Sequence, residues 1–212
     1  MSLTAAAGES GKSTFLFNPG GFLMVLSGPS GAGKGTLVDK LLSSRPDCIF
    51  AISSTTRPIR STETEGVQYR FMDRAEFETQ REAGYFLEWA EVHGELYGTP
   101  LHEVEELMKQ GYVVLLDVDV QGGASVRQVR PDAVSVFIHP PSLEALRQRL
   151  GRRGTDQQDV VETRMQNAPG ELAQYQLYDY LVVNDSLDQA VATLVAIHDA
   201  ERARVKRLAP EV

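Results

Sequence analysis

The chain has 212 residues, 42% of them hydrophobic, and a formal net charge of −8. That is enough apolar material for one substantial core, and the acidic balance argues against a nucleic-acid partner, whose binding footprint is basic. No apolar run approaches the roughly 20 residues that cross a bilayer, so no membrane partner is expected. Cys48 is the only cysteine, so an intrachain disulfide is excluded and a reducing cytoplasm fits.

The first pattern along the chain is Gly8-Glu9-Ser10-Gly11-Lys12-Ser13-Thr14, which imitates a phosphate-binding loop. Ala6 stands where the first glycine belongs, and the five residues before it cannot supply the strand that holds such a loop. Residues 1–20 are therefore expected as a flexible tail.

A second pattern passes the test that the first fails. Leu23-Met24-Val25-Leu26-Ser27 reads as a buried strand, and Gly28-Pro29-Ser30-Gly31-Ala32-Gly33-Lys34-Gly35-Thr36 follows it directly. Leu37, Val38, Leu41 and Leu42 then recur at helical spacing. Strand, glycine-rich loop and helix in that order let backbone N–H groups converge on phosphate oxygens, while the helix dipole and Lys34 add positive charge. These nine loop residues are expected to hold a nucleoside triphosphate. Simple loops of this kind place a hydroxyl directly after the lysine, on Mg²⁺. Gly35 occupies that position here, and the hydroxyl comes one residue later at Thr36. The variant resembles nucleoside monophosphate kinases, where the metal keeps more of its water, as Mg²⁺ readily does.

Beyond Arg45-Pro46-Asp47 the spacing predicts a strand over 48–52. Asp73 and Glu76 form a capping box for a helix that stops near Gly84. A strand is expected over 86–90, then a helix capped by Thr99 with Pro100 at its first position, ending at Gly111. The short apolar runs 112–116 and 133–138 are typical of buried parallel strands. Pro140-Pro141-Ser142 restarts a helix, 180–183 reads as the last strand, and Ser186 with Gln189 caps a C-terminal helix. The alternation predicts an α/β fold with a parallel P-loop sheet core flanked by helices. His93, His102, His139 and His198 show no metal-ligand spacing and read as structural or surface residues.

Two polar, arginine-rich stretches, 53–98 and 140–169, interrupt the alternation. They read as insertions that close over substrates and exclude water. A phosphate loop with two such flaps suggests phosphoryl transfer between two bound molecules, which needs the acceptor held in line.

The first stretch carries Ser53-Ser54-Thr55-Thr56-Arg57-Pro58-Ile59-Arg60, then Glu63, Tyr69 and Phe71. Further on stand Phe86-Leu87-Glu88-Trp89-Ala90, Tyr97-Gly98-Thr99, Asp117-Val118-Asp119-Val120-Gln121-Gly122, Arg152-Arg153-Gly154-Thr155 and Val183-Asn184-Asp185. With the phosphate loop, this ordered set resembles the guanylate kinase family from about residue 21 to the C-terminal helix. The chain departs from it in having Ile59 between Pro58 and Arg60, and Thr62 where a glycine is usual.

The resemblance implies an ATP:GMP phosphotransferase that uses Mg²⁺, with dGMP as a further acceptor, acting as a monomer or homodimer. It gives Arg57 and Arg60 to the GMP phosphate, with Tyr69 and Tyr97 as phenolic donors. Planar guanidinium groups suit that task because they can pair with phosphate twice. Ser53, Glu88, Thr99 and Asp119, with Glu63 nearby, fall to GMP and its base. Guanine's N1–H and 2-amino group are adjacent donors that an ionised carboxylate accepts together, whereas adenine's N1 is an acceptor. Arg149, Arg153 and Arg164 match arginines that neutralise the transferring phosphoryl group beside Lys34 and Arg57. Asn184 and Asp185 lie towards the ATP base. Thr36 and Asp117 are expected near Mg²⁺, partly through water.

The implied layout is a tail over 1–20 and one domain over 21–208. Its core comprises 21–52, 101–139 and 170–208, with a GMP-binding insertion over 53–100 and a helical lid over 140–169. Two other readings compete: a kinase of a phosphorylated sugar on the same fold, and a non-catalytic protein-binding module of guanylate-kinase type.

Overall fold

The computed structural model describes residues 17–61, 63–92, 94–152 and 158–210. The look-alike motif around Lys12, together with Thr62, His93, Arg153, Gly154 and Thr155, lies outside the described residues.

Strand β1 (Phe17–Pro19) leads through two glycines into β2 (Phe22–Ser27), whose six residues are all buried. The phosphate-loop segment follows, then helix α1 (Lys34–Ser44) and strand β3 (Cys48–Phe50). Next come β4 (Ser54–Thr55), β5 (Arg70–Phe71), α2 (Arg74–Glu82), β6 (Phe86–Val92) and β7 (Glu95–Pro100). The chain continues with α3 (Leu101–Lys109), β8 (Val113–Asp117), α4 (Val120–Val129) and β9 (Val134–His139). Helices α5 (Leu143–Arg152) and α6 (Gln158–Leu172) precede β10 (Tyr180–Val183), α7 (Leu187–Arg202) and β11 (Leu208–Pro210).

Five strands form a parallel sheet in the order β10-β9-β2-β8-β3. The first of them in sequence, β2, lies between β8 and β9, so the strand order reverses there. Ligands of such sheets bind beyond the carboxyl ends at that reversal, which is where the phosphate-loop segment emerges. Alternation along β2 fixes the two faces. Phe22, Met24 and Leu26 pack with Leu37 and Leu41 of α1 and Leu194 of α7. Leu23 and Val25 pack on the opposite face with Val104 of α3 and Val126 of α4. Each fully buried large side chain contributes about 1.5–3 kcal/mol, so a double-faced strand with helices on both sides fixes its own register.

A second sheet, β5-β4-β7-β6, is mixed: β4 and β5 run parallel, while β7 is antiparallel to β4 and to β6. Phe77 of α2 stacks on Phe86 beneath it at 4.4 Å between ring centroids. β1 pairs antiparallel with β11, so the last residues expected in the tail are drawn into a strand pair with residues at and just beyond the expected domain end.

Two cap expectations are corrected. The segment 95–100 is a strand, Pro100 takes the cap position of α3 without a side-chain bond, and the Thr99 hydroxyl points to Glu88 instead. Ser186 occupies the cap position of α7, yet its hydroxyl makes no capping bond. Asp73 does cap α2, accepting the Glu76 N–H at 2.8 Å. No helix among the described residues is long and apolar enough to cross a membrane.

The C-terminal helix is fastened by charge as well as by packing. Arg45 donates twice to Asp199, at 3.0 and 2.6 Å. The buried His198 ring places one nitrogen 2.9 Å from Asp199 and the other 3.1 Å from Asp47, whose same oxygen lies 3.1 Å from Arg202. Cys48 approaches this group, but burial pushes its thiol up to about 12, and the other donors are already engaged. The cluster works as a tie between α7 and the α1–β3 connection. The hydrogen bond from Arg45 holds the Asp199 carboxyl down at about 2. A depressed carboxyl contributes stability above its unfolded value of roughly 3.9 and loses it as pH falls through the folded value. Thermal melts of wild type and Asp199→Asn should therefore differ at pH 6, and the gap should close between pH about 4 and about 2. A constant gap across that window would remove this ion pair from the stability account.

Candidate active site

The turn after β2 is possible because glycine occupies its left-handed positions. Gly28 and Gly33 have φ of 139° and 91°. A Cβ on Gly28 would stand 2.3 Å from the Ile138 carbonyl oxygen of β9, and one on Gly33 would stand 2.4 Å from Asn184 Nδ2. The loop therefore packs backbone-first against the end of β9 and the segment after β10. Gly33 caps α1, whose first residue is Lys34, so the positive end of the helix and the lysine share one opening. Lys34 Nζ donates to the carbonyls of Gly28, at 2.9 Å, and Pro29, at 3.3 Å. It also lies 3.8 Å from Asp117 Oδ1, at the end of the adjacent strand β8.

Lys34 and Asp117 belong to a cleft of about 570 Å³ above the carboxyl ends of β2 and β8. The loop lines one end through Ser30, Gly31, Gly33 and Gly35. The second sheet and its connections line the other through Ser53, Tyr69, Glu88, Ala90, Val92 and Tyr97. Asp119 and Gly122 form the floor, and α6 adds Arg164 and Glu171.

At the far end the groups arrange themselves in two layers. Glu88 is buried, and Thr99, fully buried, donates to its Oε1 at 2.7 Å. Ser53 Oγ lies 3.1 Å from Thr99 Oγ1. Thr99 has one proton and gives it to Glu88, so Ser53 donates to Thr99. Burial, aided by the charge of Asp119, raises the Glu88 carboxyl above the ordinary glutamate range. Asp119 caps α4 by accepting the Gly122 N–H at 2.8 Å through Oδ1.

Nearer the rim, Arg57 is clamped by Glu63 through two bonds, of 3.1 and 2.8 Å. Glu63 also accepts the Arg60 N–H at 2.8 Å, which closes the turn that carries Ile59. The Arg57 guanidinium holds the Glu63 carboxyl below its usual range. Arg57 stands 5.6 Å from the Tyr69 ring centre, and the Tyr69 and Tyr97 rings meet edge-on at 5.8 Å. Burial raises the Tyr69 phenol, so it keeps its proton for donation. The Arg60 side chain is exposed.

On the other side of the loop lies a smaller hollow of about 300 Å³, lined by Thr36, Arg149, Asn184, Asp185 and Leu187 with Gly31 and Gly33. Asn184 donates to the Ala32 carbonyl at 2.8 Å. Arg149 donates to the same carbonyl at 3.3 Å and to the Asn184 carbonyl at 2.8 Å. Arg164 reaches the loop from the first cleft, donating to Ser30 Oγ at 3.2 Å. Two arginines from successive helices thus flank one phosphate loop. Thr36 and Asp117, both expected near a metal, line different hollows.

Glu171 enters the cleft unannounced by the sequence reading. It lies seven residues after Arg164 on the same helix, so the two share a face across Ala168, which is buried. Burial and the charge of Asp119 raise its carboxyl, and Lys34 and Arg164 oppose the rise. The i, i+7 spacing was the available signal.

The chain that carries this cleft has close counterparts among known proteins in sequence and in fold. Residues 21–201 match the family described as guanylate kinase. The chain is 51% identical over 189 residues to the guanylate kinase of Symbiobacterium thermophilum, covering 89% of this chain and 90% of that protein. It is 47% identical to the guanylate kinase of Syntrophomonas wolfei, covering 90% and 98%. The crystal structure of guanylate kinase from Anaplasma phagocytophilum superposes with a TM-score of 0.74 at 32% identity, over 92% of this chain and 93% of that one. Fold and sequence agree along nearly the whole length, and the chain belongs to the guanylate kinase family.

Proposed function

We propose that the two ends of the large cleft hold the two substrates of a guanylate kinase, which converts ATP and GMP to ADP and GDP. The observation that carries the assignment of residues is Glu88, a buried carboxylate fed by the Ser53–Thr99 chain of hydroxyls and facing a cleft whose other end is a phosphate loop. An ionised acid at that depth pairs with adjacent donors, which guanine presents and adenine does not. Asp119 adds a second acceptor. A phosphorylated sugar has no planar donor pair to use these groups, and a purely protein-binding module has no use for the intact loop around Lys34.

The ATP phosphates lie in the loop over residues 28–36, with the base towards the hollow of Asn184 and Asp185. Arg57, oriented by Glu63, and Arg60 take the GMP phosphate with Tyr69 and Tyr97. An oxygen of that phosphate attacks the γ-phosphorus of ATP, the bond to the β–γ bridging oxygen breaks, and ADP carries away the electron pair. The acceptor oxygen is already anionic, so positioning and charge neutralisation carry the rate. Lys34, Arg57, Arg149, Arg153 and Arg164 supply that neutralisation, and α5 with α6 forms the lid.

Mg²⁺ fits this cleft. Asp117 offers hard oxygen donors beside the loop, 3.8 Å from Lys34, and a Cβ on Gly35 would stand at an ordinary contact distance of 3.9 Å from Asp117 Oδ2, so the carboxylate lies next to the position that follows the lysine. Asp117 would hold it largely through water, with Thr36 as the other candidate. Bound with ATP, the ion neutralises phosphate charge.

An acceptor panel with ATP tests the assignment: kcat/KM for GMP should exceed that for AMP, CMP and UMP by about 10³. Glu88→Gln should cost roughly 1.5–3 kcal/mol of GMP recognition, a ten- to hundredfold loss of kcat/KM, with the melting temperature unchanged or higher. The sign follows from the raised carboxyl. The folded state holds that proton more tightly than the unfolded chain, so ionised Glu88 destabilises the fold near neutral pH and removing the charge relieves it. Comparable rates with AMP would overturn the base pocket.

Lys34→Met should reduce transfer by about 10³ or more while leaving GMP binding, measured by equilibrium titration, within about twofold. A joint loss of both would make Lys34 a structural residue.

For the metal, Gly35→Ser should be tolerated, whereas Asp117→Asn should lower kcat more than it raises the KM for GMP. It should also raise the Mg²⁺ concentration needed for half-maximal rate. Wild-type behaviour of Asp117→Asn would exclude it from the metal's surroundings.

A further inference from the structure

Ser27 ends β2 one residue before the phosphate loop and is fully buried. Its Oγ lies 2.9 Å from the Asp119 carbonyl oxygen and 2.8 Å from the Tyr178 hydroxyl. A carbonyl only accepts, and a serine has one proton to give. Ser27 must therefore donate to Asp119, and Tyr178 must donate to Ser27. The result is a directed chain of two hydrogen bonds, from Tyr178 through Ser27 to the peptide of Asp119.

Tyr178 reaches this point from a distant part of the sequence. It follows the short 3-10 helix Ala173–Leu177 that continues α6. Arg127 of α4 lies 4.3 Å over its ring, and Phe137 of β9 meets it edge-on at 5.1 Å. Gly123 leaves room for the hydroxyl: a Cβ there would stand 2.6 Å from the Tyr178 oxygen and 3.0 Å from Ser27 Oγ. Such effort to hold one phenol against one serine needs a purpose, and the end of the chain supplies it. The Asp119 peptide is the pivot between the end of β8 and the start of α4, and its side chain lines the cleft.

We infer that Tyr178, acting through Ser27, is a positioning residue for base recognition, fixing the Asp119 peptide so that its carboxylate faces the acceptor. This rests on the reading of Asp119 as a guanine contact. Without the tyrosine proton, one lone pair of Ser27 is left unmet and the serine bond loses its cooperative support. The Asp119 carbonyl then keeps a weakened Ser27 bond beside the Gly123 N–H at 2.9 Å, and the turn is freer to shift. The ATP side is held by separate bonds of Asn184 and Arg149 to Ala32, so the loss falls on the acceptor alone.

The test is steady-state kinetics of Tyr178→Phe, Ser27→Ala, the double variant and Asp119→Asn, with GMP and with IMP. IMP keeps guanine's N1–H but lacks the 2-amino group. Tyr178→Phe should raise the KM for GMP about fivefold, the scale of one neutral hydrogen bond. It should narrow the preference for GMP over IMP and leave the KM for ATP within about twofold. The double variant should do no more than the worse single one, because both break the same chain. The inference is overturned if GMP and ATP constants rise together, or if the two single effects add. It also falls if Asp119→Asn changes the GMP-to-IMP ratio while Tyr178→Phe leaves it alone. If Asp119→Asn itself leaves that ratio unchanged, the reading of Asp119 is what fails.

Discussion

The cleft depends on a loop that turns its backbone inward against the sheet. At Gly28 the chain passes so close to the Ile138 carbonyl that no side chain fits, and at Gly33 it does the same against Asn184. This contact sets the height of the loop above β9 and the direction in which α1 leaves it. Lys34 is then placed at the mouth by the helix, and Asp117 by the neighbouring parallel strand, whose register with β2 pairs Leu26 with Asp117. One backbone constraint thus brings a cation, an anion and a set of N–H groups to a single point. The cost is left-handed backbone, which only glycine takes without strain.

Charge follows a related logic. A protein with net charge −8 that works on polyanions cannot rely on its overall field, so its cations must be local and held in reserve. Three of the described cations rest on oxygen acceptors of the kind a phosphate presents. Lys34 rests on loop carbonyls, Arg57 on Glu63 and Arg149 on the carbonyls of Ala32 and Asn184. These resting partners keep the side chains oriented, so less rotamer freedom is lost when a nucleotide arrives. Arg57 is the clearest case, since its fork is already paired with a carboxylate in the geometry it would use on phosphate.

The parallel sheet was legible because its signals are local. The apolar runs at β8, β9 and β10 and the Asp73 cap of α2 all appear within one or two residues of their expected bounds, although the Glu76 carboxylate accepts from Gln80 rather than closing a capping box. Of the second sheet only β6, expected over 86–90, was legible. Two of its strands have only two residues each, too short for any period, and they exist because β7 offers β4 a partner and β4 in turn offers one to β5. Thr99 misled for a related reason. Threonine before proline reads as a cap by local rules, but a buried carboxylate eleven residues away claimed its hydroxyl. Helix α4 was passed over, since Gly122 and Gly123 weaken its propensity and its formation leans on the Asp119 cap and on packing. β1 and β11 make sense only together, at opposite ends of the chain. The individual roles of the arginines came from family resemblance, because an arginine-rich helix alone reads as a solvated face.

Helix α6 ties these parts together. It presents Arg164 and Glu171 to the cleft along one stripe, with buried Ala168 between them, and continues into the segment that ends at Tyr178. Pro169 lies inside it. A proline there has no N–H to offer the Met165 carbonyl, and its ring crowds the same group, so the ladder is weakest between the two cleft-facing charges. On one side of that point the helix belongs with α5, packed through Leu146, Leu150 and Ala168. On the other it runs to the β10 edge of the sheet. A single helix with a missing rung thus joins two differently packed regions, the α5 side through Ala168 and the segment that leads into β10, and its weakest point falls between Arg164 and Glu171.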